Sequence, residues 1–334
     1  MKYVEKSKLD DMLKQLNNSY RVLVPVDYSG LTQFAPYSQV EEGISQLYFG
    51  GNVTVSPKTA YLPQSEAMYK FRAQGKKLAI EEMPAMEKPQ VLFGVRHCDT
   101  KAIHCLDKVF LDEKFEDPQY KDKRDNTVVF SLACNNPKPT CFCESMGVDR
   151  VHAEESVADV QVYDLGDSFG FEAVSEKGRV CLEQVKGLKD GETKLPEQKP
   201  QTIRFDASTL PEKLKGMFEH PIWEEYAFKC LNCGTCTYIC PTCHCFDINN
   251  KIRGEVGLKL RTWDSCMFGE YTLMAGGHQP RPGKKERVRN RFLHKLQYFN
   301  EKHGMFLCIG CGRCVAKCPV NMDITKFARE VAGQ

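Results

Sequence analysis

The sequence predicts an α+β protein, with an α/β domain at the N-terminus and a mainly helical domain at the C-terminus. Two buried apolar runs, at residues 90–96 and 127–133, flank a stretch whose apolar residues recur at helical spacing. A strand, a helix and a strand in this order predict a right-handed crossover and a partly parallel sheet. The C-terminal part is organised instead around two cysteine-rich runs, which start at Cys230 and Cys308.

The other elements of the N-terminal domain are less regular. Residues 5–17 are predicted to form a helix with one apolar face made of Leu9, Met12, Leu13 and Leu16. Residues 20–25 predict a strand that Pro25 ends. Residues 40–85 mix short apolar segments with Gly, Pro and Ser and predict no definite topology. Residues 150–182 predict short strands and turns.

A polar, charged segment with Gly and Pro at residues 183–215 predicts a linker between two domains. The N-terminal α/β domain would then span residues 1–182, and the C-terminal domain residues 216–334. An insertion at residues 246–307 separates the two cysteine runs.

Each cysteine run has the spacing C-x2-C-x2-C-x3-C-P, which is typical of bacterial ferredoxins with two [4Fe–4S] clusters. In such proteins the fourth cysteine of each run binds the other cluster. We therefore predict a ferredoxin-like domain with two clusters and these ligands: Cys230, Cys233, Cys236 and Cys318 for the first, and Cys308, Cys311, Cys314 and Cys240 for the second. Zinc is the alternative, but zinc sites usually use two separated cysteine pairs.

Composition limits the classes of function. The 334 residues are enough for two domains, and the net charge of +2 gives no overall basic signal for nucleic acid. The first residues lack the apolar segment of a signal peptide, and no apolar run is long enough to span a membrane. With 17 cysteines, such a chain is expected to bind metal in a reducing cytoplasm. Exposed clusters also favour an anaerobic setting.

Four further cysteines are predicted to hold a third [4Fe–4S] cluster in the N-terminal domain. Cys98 and Cys134 each follow a predicted parallel strand, where the ligands of such sheets bind. Cys141 and Cys143 lie on a proline-containing loop shortly after Cys134. Four thiolates at this edge of the sheet suit a cubane cluster. The alternative is that all four are small, buried packing residues.

Five cysteines remain outside these three sets. Cys105, on the predicted helix, and Cys181, in a predicted strand, are expected to pack in the core. Cys243, Cys245 and Cys266 are expected to pack beside the ferredoxin-type clusters and to tune them through hydrogen bonds. A role as exchange ligands is the alternative for these three.

The insertion also carries a basic run, which comprises Arg281, Lys284, Lys285, Arg287, Arg289, Arg291 and Lys295. The run is interpreted either as a solvated helix or as a docking face for an acidic partner. Nucleic-acid binding is disfavoured because the chain lacks a recognition motif and an overall positive charge. His278 and His294 are expected to be structural.

No catalytic centre is recognisable in the sequence. The chain has neither a G-x-G-x-x-G dinucleotide fingerprint nor a phosphate-binding P-loop. It also lacks the adjacent Cys-Cys-Gly motif of heterodisulfide reductases. We therefore predict no catalytic residue and expect a non-catalytic electron-transfer subunit of an oxidoreductase complex.

Several strings in the chain resemble those of one iron–sulfur subunit family. Residues 94–103 resemble its pattern G-V-R-x-C-D-x-x-A-I, and residues 141–147 resemble C-F-C-x-S-M-G. Later blocks follow in the family's order at residues 240–246, 265–267, 274–278 and 311–314. On these grounds the chain is similar to the family that includes the iron–sulfur electron-transfer subunit of anaerobic sulfite reductase and the beta subunit of sulfhydrogenases, the soluble NiFe hydrogenases.

The resemblance implies an electron relay between a flavin subunit that handles NAD(P)H and a catalytic subunit of NiFe hydrogenase or sirohaem sulfite reductase type. It also supports a third cluster, because Cys98, Cys134, Cys141 and Cys143 fall at cysteine positions of the family. Two other hypotheses stay open. One is a stand-alone reductase with substrate at an open iron of the N-terminal cluster. The other is a ferredoxin-like carrier, for which the N-terminal domain is larger than needed.

Overall fold

The structure is a computed structural model that describes residues 1–40, 46–191 and 195–333. Its strands are β1 Lys2–Glu5, β2 Arg21–Tyr28, β3 Leu31–Pro36, β4 Gln46–Leu47, β5 Ser65–Gln74, β6 Lys77–Glu82, β7 Gln90–Arg96, β8 Thr127–Leu132, β9 Val160–Asp164, β10 Ser168–Ala173, β11 Lys189–Asp190, β12 Phe246–Arg253 and β13 Val256–Trp263.

The α-helices are α1 Leu9–Ser19, α2 His97–Phe110, α3 Pro118–Asp125, α4 Glu176–Glu183, α5 Leu210–Lys215, α6 Ile222–Lys229, α7 Thr235–Tyr238, α8 Lys284–Leu293, α9 Phe299–His303, α10 Arg313–Lys317 and α11 Ile324–Ala332. A π-helix, His294–Tyr298, joins α8 to α9. None of the described helices combines the length and the apolarity that crossing a membrane requires.

A mixed sheet forms the frame of the N-terminal part. Across the described residues its strand order is β11-β1-β10-β9-β8-β7-β2-β3, with β4 paired to β2. The pairs β2–β7, β7–β8 and β8–β9 are parallel, and the other pairs are antiparallel. The connection between the parallel strands β7 and β8 contains α2, followed by the shorter α3, so the predicted strand–helix–strand unit is confirmed. The α+β fold class with a partly parallel sheet is confirmed with it.

Helices cover both faces of this sheet. On one face the apolar stripe of α1, including Leu13 and Leu16, packs in one core with β2 and β7. On the other face Ile103 and Leu106 of α2 pack with Leu92 of β7. Because both faces are covered, every residue of β7 and β8 is buried, as is usual for parallel strands.

Two local predictions in this domain are wrong. Pro25 does not end its strand, since β2 continues to Tyr28. On one edge of β2, residues 21–23 pair with β7 and residues 26–27 pair with β4. Pro25 lies between these two groups, so the N–H that it lacks is not needed for either ladder on that edge. Cys181 lies in α4 rather than in a strand. Ser175 caps this helix by accepting a hydrogen bond from the Gly178 N–H, and Cys181 is buried as expected.

A second, antiparallel sheet joins distant parts of the chain. Its strand order is β12-β13-β5-β6. The hairpin β12–β13, at the start of the insertion, pairs through β13 with β5 of the hairpin β5–β6, which lies in the stretch 40–85 for which no topology is predicted. Arg261 of β13 is buried and forms ion pairs with Glu66 of β5 and with Asp117. These pairs fasten the insertion to the N-terminal part.

The C-terminal helices enclose a separate core, in which the rings of Trp223, Phe292 and Phe327 lie together. Leu210 and Leu214 of α5 belong to the same core. The end of the segment predicted as a linker is therefore packed into the C-terminal part. This core supports the loops that carry the two cysteine runs.

Candidate iron–sulfur centres

The first site is a cavity lined by Cys230, Cys233, Cys236 and Cys318. The first three surround the turn between α6 and α7, and Cys318 directly follows α10. The fold thus brings together the four residues that the sequence predicts as one ligand set. Cys233 is exposed and the other three are half-buried. Burial raises the pKa of both Cys230 and Cys236, because it disfavours the thiolate.

The second site combines Cys240, which follows α7, with Cys308, Cys311 and Cys314 around the start of α10. Burial is the main cause that raises the pKa of Cys308 to about 12 and that of Cys311 to about 11. Cys240 lies close enough to Cys308, Cys311 and Cys314 to add to the rise in each pKa. The predicted second ligand set is therefore also together in space.

The third site is a cavity lined by Cys98, Cys134, Cys141 and Cys143. Cys98 lies in the first turn of α2, directly after β7, and Cys134 lies just beyond β8. Both positions are at the carboxyl ends of parallel strands, as the sequence predicts. Burial raises the pKa of Cys141 to about 11 and that of Cys143 to about 12.

Gln201 contributes to the third site from the segment predicted as a linker. Its side chain is buried, and its Nε2 donates a hydrogen bond to Cys143 Sγ at 2.9 Å. An N–H···S bond to a cluster ligand orients the sulfur and raises the potential of the cluster. No pattern in the sequence indicates this residue, because the contact depends on the path of an irregular segment.

The second and third sites touch each other. Cys311 of the second set also lines the third cavity. The Phe142 N–H donates to the Gly310 carbonyl at 2.8 Å, and Asn52 Nδ2 donates to the Cys311 carbonyl at 2.7 Å. A Cβ atom on Gly310 would lie 2.5 Å from Cys143 Cα, so only glycine permits this approach.

The first and second sites are linked by the basic helix that runs from α8 into the π-helix. Burial of Arg291 acts to lower its pKa, because it disfavours the charged guanidinium. The nearby thiols outweigh this effect and raise the pKa, above all Cys236 of the first site and Cys314 of the second. The next turn places Lys295 Nζ 3.3 Å from Cys240 Sγ. Two buried cations thus face predicted ligands of both ferredoxin-type sites.

The basic run is therefore not a solvated face along its whole length. Arg287, Arg291 and Lys295 are buried, with exposed fractions of 8%, 4% and 4%. Their spacing of four residues places them on one side of the helix, which is the signal in the sequence that could have separated them from the exposed members. The interpretation as a solvated helix or docking face does not hold for these three residues.

The three cysteines with an open role lie next to the ferredoxin-type sites. Cys243 is beside Cys240, whose pKa is lowered mainly by the hydrogen bond from Cys243. Cys245 is beside Cys266, and a hydrogen bond from Cys266 is the main cause that lowers the pKa of Cys245 to about 6. These contacts suit residues that donate hydrogen bonds near a cluster.

The residues present fit a polynuclear cluster better than a single metal ion. All 17 cysteines are free thiols. Among the residues that the structure describes, no three Cys, His, Asp or Glu side chains converge closely enough to hold one ion. The cysteines of the first and third sites line a cavity instead, as four ligands around a [4Fe–4S] cubane do.

Comparison with known proteins agrees with this geometry. Residues 229–322 match the family described as a 4Fe-4S dicluster domain. The chain is 31% identical over 346 aligned positions to the sulfhydrogenase 2 subunit beta of Pyrococcus furiosus, with 99% of this chain and 98% of the relative covered. No solved structure matches the chain significantly. The chain therefore belongs to the iron–sulfur subunit family of the sulfhydrogenase beta subunits.

Proposed function

We propose that this chain relays electrons through three [4Fe–4S] clusters, one at each of the three sites. In the proposal the relay connects a flavin subunit that handles NAD(P)H with a catalytic subunit of NiFe hydrogenase type. The name of the Pyrococcus furiosus relative supports a hydrogenase partner. The resemblance of the sequence blocks supports the flavin subunit, and an anaerobic cytoplasm is the expected setting.

The contiguity of the three sites is the observation that carries this proposal. Cys236 of the first site lies on α7, and Cys240 of the second site lies four residues later, just beyond the end of that helix. Cys311 belongs to the second site and lines the third. Because electron transfer between centres slows steeply with distance, an uninterrupted row of sites is the arrangement that a relay requires.

A bound [4Fe–4S] cluster supplies reversible one-electron chemistry at potentials that the protein tunes. The chain's own residues hold the thiolates in place and keep water away. At the second and third sites most of the ligand thiols are buried, whereas Cys233 leaves the first site open to the surface. A partner subunit is therefore expected to exchange electrons at the Cys233 end of the row.

The experiment is an anaerobic purification of the chain from its native host, followed by metal, flavin and haem analysis of the co-purifying subunits. Nickel together with a flavin subunit is the expected result. Sirohaem in the complex would show instead that the catalytic partner is a sulfite reductase and not a hydrogenase. Turnover of hydrogen or sulfite by the isolated chain with a redox dye would overturn the relay and favour a stand-alone reductase.

A further inference from the structure

Lys295 occupies an unusual place for a lysine. It lies in the π-helix His294–Tyr298 and is 4% exposed. π-Helical turns are rare and occur frequently at functional sites. Among the salt bridges of the described residues, none involves Lys295, so no carboxylate there balances its charge. A buried ammonium without such a partner is costly, which calls for another source of negative charge nearby.

The side chain of Lys295 reaches the last ligand of the second site. Its Nζ lies 3.3 Å from Cys240 Sγ and 3.1 Å from Thr242 Oγ1. Thr242 Oγ1 in turn donates to the Leu307 carbonyl at 2.7 Å. The ammonium therefore contacts the sulfur of Cys240, a predicted cluster ligand, directly. Through the hydroxyl of Thr242 it also reaches the backbone at Leu307, next to the second cysteine run.

The backbone of Lys295 reaches the first ligand of the same site. Its carbonyl accepts hydrogen bonds from the Leu307 N–H at 3.1 Å and from the Cys308 N–H at 3.3 Å. One residue thus holds Cys240 with its side chain and Cys308 with its main chain. These two cysteines come from different runs that are far apart in the sequence.

We propose that Lys295 is a positioning residue of the second site and that its charge raises the reduction potential of the cluster held there. The inference rests on the proposed function, because it presumes a cluster at Cys240, Cys308, Cys311 and Cys314. Reduction adds negative charge to the cluster, and a charged donor to a ligand sulfur stabilises that state. The second site then retains electrons more strongly than it would beside a neutral side chain.

The test uses the full chain loaded with clusters and purified without oxygen. Lys295→Gln removes the charge and keeps a donor, and Lys295→Arg keeps the charge. Lys285→Met is the control, because Lys285 is a half-buried lysine of the adjoining α8 that pairs with Glu224 instead of a cysteine. Redox titration followed by electron paramagnetic resonance gives the midpoint potential of each cluster. We expect Lys295→Gln to lower the equilibrium constant for reduction of one cluster at least tenfold, which corresponds to a fall of about 59 mV in its one-electron midpoint potential. Lys295→Arg and Lys285→Met should lie close to wild type.

An unchanged set of potentials in Lys295→Gln with full iron content would overturn the inference. Wild-type protein that binds no cluster at the second site would instead overturn the proposed function. If Lys295→Gln fails to fold, wild-type protein labelled with 15N at lysine side chains decides the matter. A 15N coupling to one reduced cluster would support the contact, and its absence from every cluster would refute it.

Discussion

Arg313 and Asp99 form a two-pronged ion pair inside the protein, with both N···O distances at 2.7 Å. The side chains are 3% and 1% exposed, respectively. Asp99 adjoins Cys98 of the third site, and Arg313 adjoins Cys314 of the second. The pair therefore fixes the loop of one site against that of the other, across 214 positions in the sequence.

We expect Asp99→Asn to destabilise the protein strongly, because it leaves the Arg313 charge buried without a counter-charge. Breaking a buried pair on one side costs about 3–5 kcal/mol of unfolding free energy. Anaerobic guanidinium titration of the cluster-loaded chain measures the change. Glu176→Gln, which removes the exposed partner of Arg179, should leave the midpoint unchanged. Equal midpoints for Asp99→Asn and wild type would contradict this role of the pair.

The contact between the second and third sites predicts a severe effect of Gly310→Ala. Gly310 has a φ of +64°, and an added Cβ would lie 2.5–2.6 Å from backbone atoms of Phe142 and Cys143, which cannot move aside. We expect the two loops to separate and both sites to lose iron. Since each cubane holds four irons, the content should fall from about twelve to about four per chain.

Gly304→Ala is the matched control for this substitution. Gly304 has nearly the same φ, +68°, but an added Cβ would meet no atom within 4 Å. The control carries the left-handed backbone penalty of about 1–2 kcal/mol without the clash. It should retain full iron. If Gly310→Ala retained as much iron as Gly304→Ala, the close approach would not be required for cluster binding.

The burial of His294 predicts that the protein loses stability in mild acid. Burial is the main cause that lowers its pKa to about 3, and the charged or titratable groups His244, Lys295 and Arg281 lower it further. The unfolded chain binds a proton at this histidine near pH 6.5 and the folded chain does not, so stability falls as the pH drops from 6.5 towards 3. At pH 5 this one group should remove about 2 kcal/mol.

The measurement compares denaturant unfolding at about pH 7.5 and about pH 5 for wild type and His294→Gln. Protons taken up elsewhere in the chain affect both proteins, so the difference between their losses isolates His294. We expect the loss in the variant to be smaller by about 2 kcal/mol. Identical losses in the two proteins would show that His294 titrates normally in the folded state.

The parts of the fold that are predictable from the sequence depend on local patterns. The apolar runs of β7 and β8 and the helical spacing in α2 are visible within short windows, and they also locate Cys98 and Cys134 at the ends of their strands. The spacing within the two cysteine runs likewise predicts two ligand sets, each with three cysteines from one run and the fourth from the other. The prediction misses α4 even though Ser175 is a recognisable N-cap.

The parts that are not predictable from the sequence depend on contacts between distant segments. β5 pairs with β13 across most of the chain, and β6 and β12 are exposed along their whole length, so neither hairpin carries a clear pattern of burial. The burial of Lys295 is missed for a similar reason. A lysine is expected to be exposed unless its partner is known, and its partner Cys240 lies 55 positions earlier.

The most direct test of the three-cluster relay is the iron and acid-labile sulfide content of the anaerobically purified chain. Three clusters predict about twelve irons per chain in wild type. Cys141→Ala should lower the count to about eight. Cys105→Ala should not, because that buried thiol donates to the Phe306 carbonyl and is not among the four cysteines predicted for the third site. About eight irons in wild type, with no loss in Cys141→Ala, would show that the third site holds no cluster. The relay would then consist of the two ferredoxin-type clusters alone.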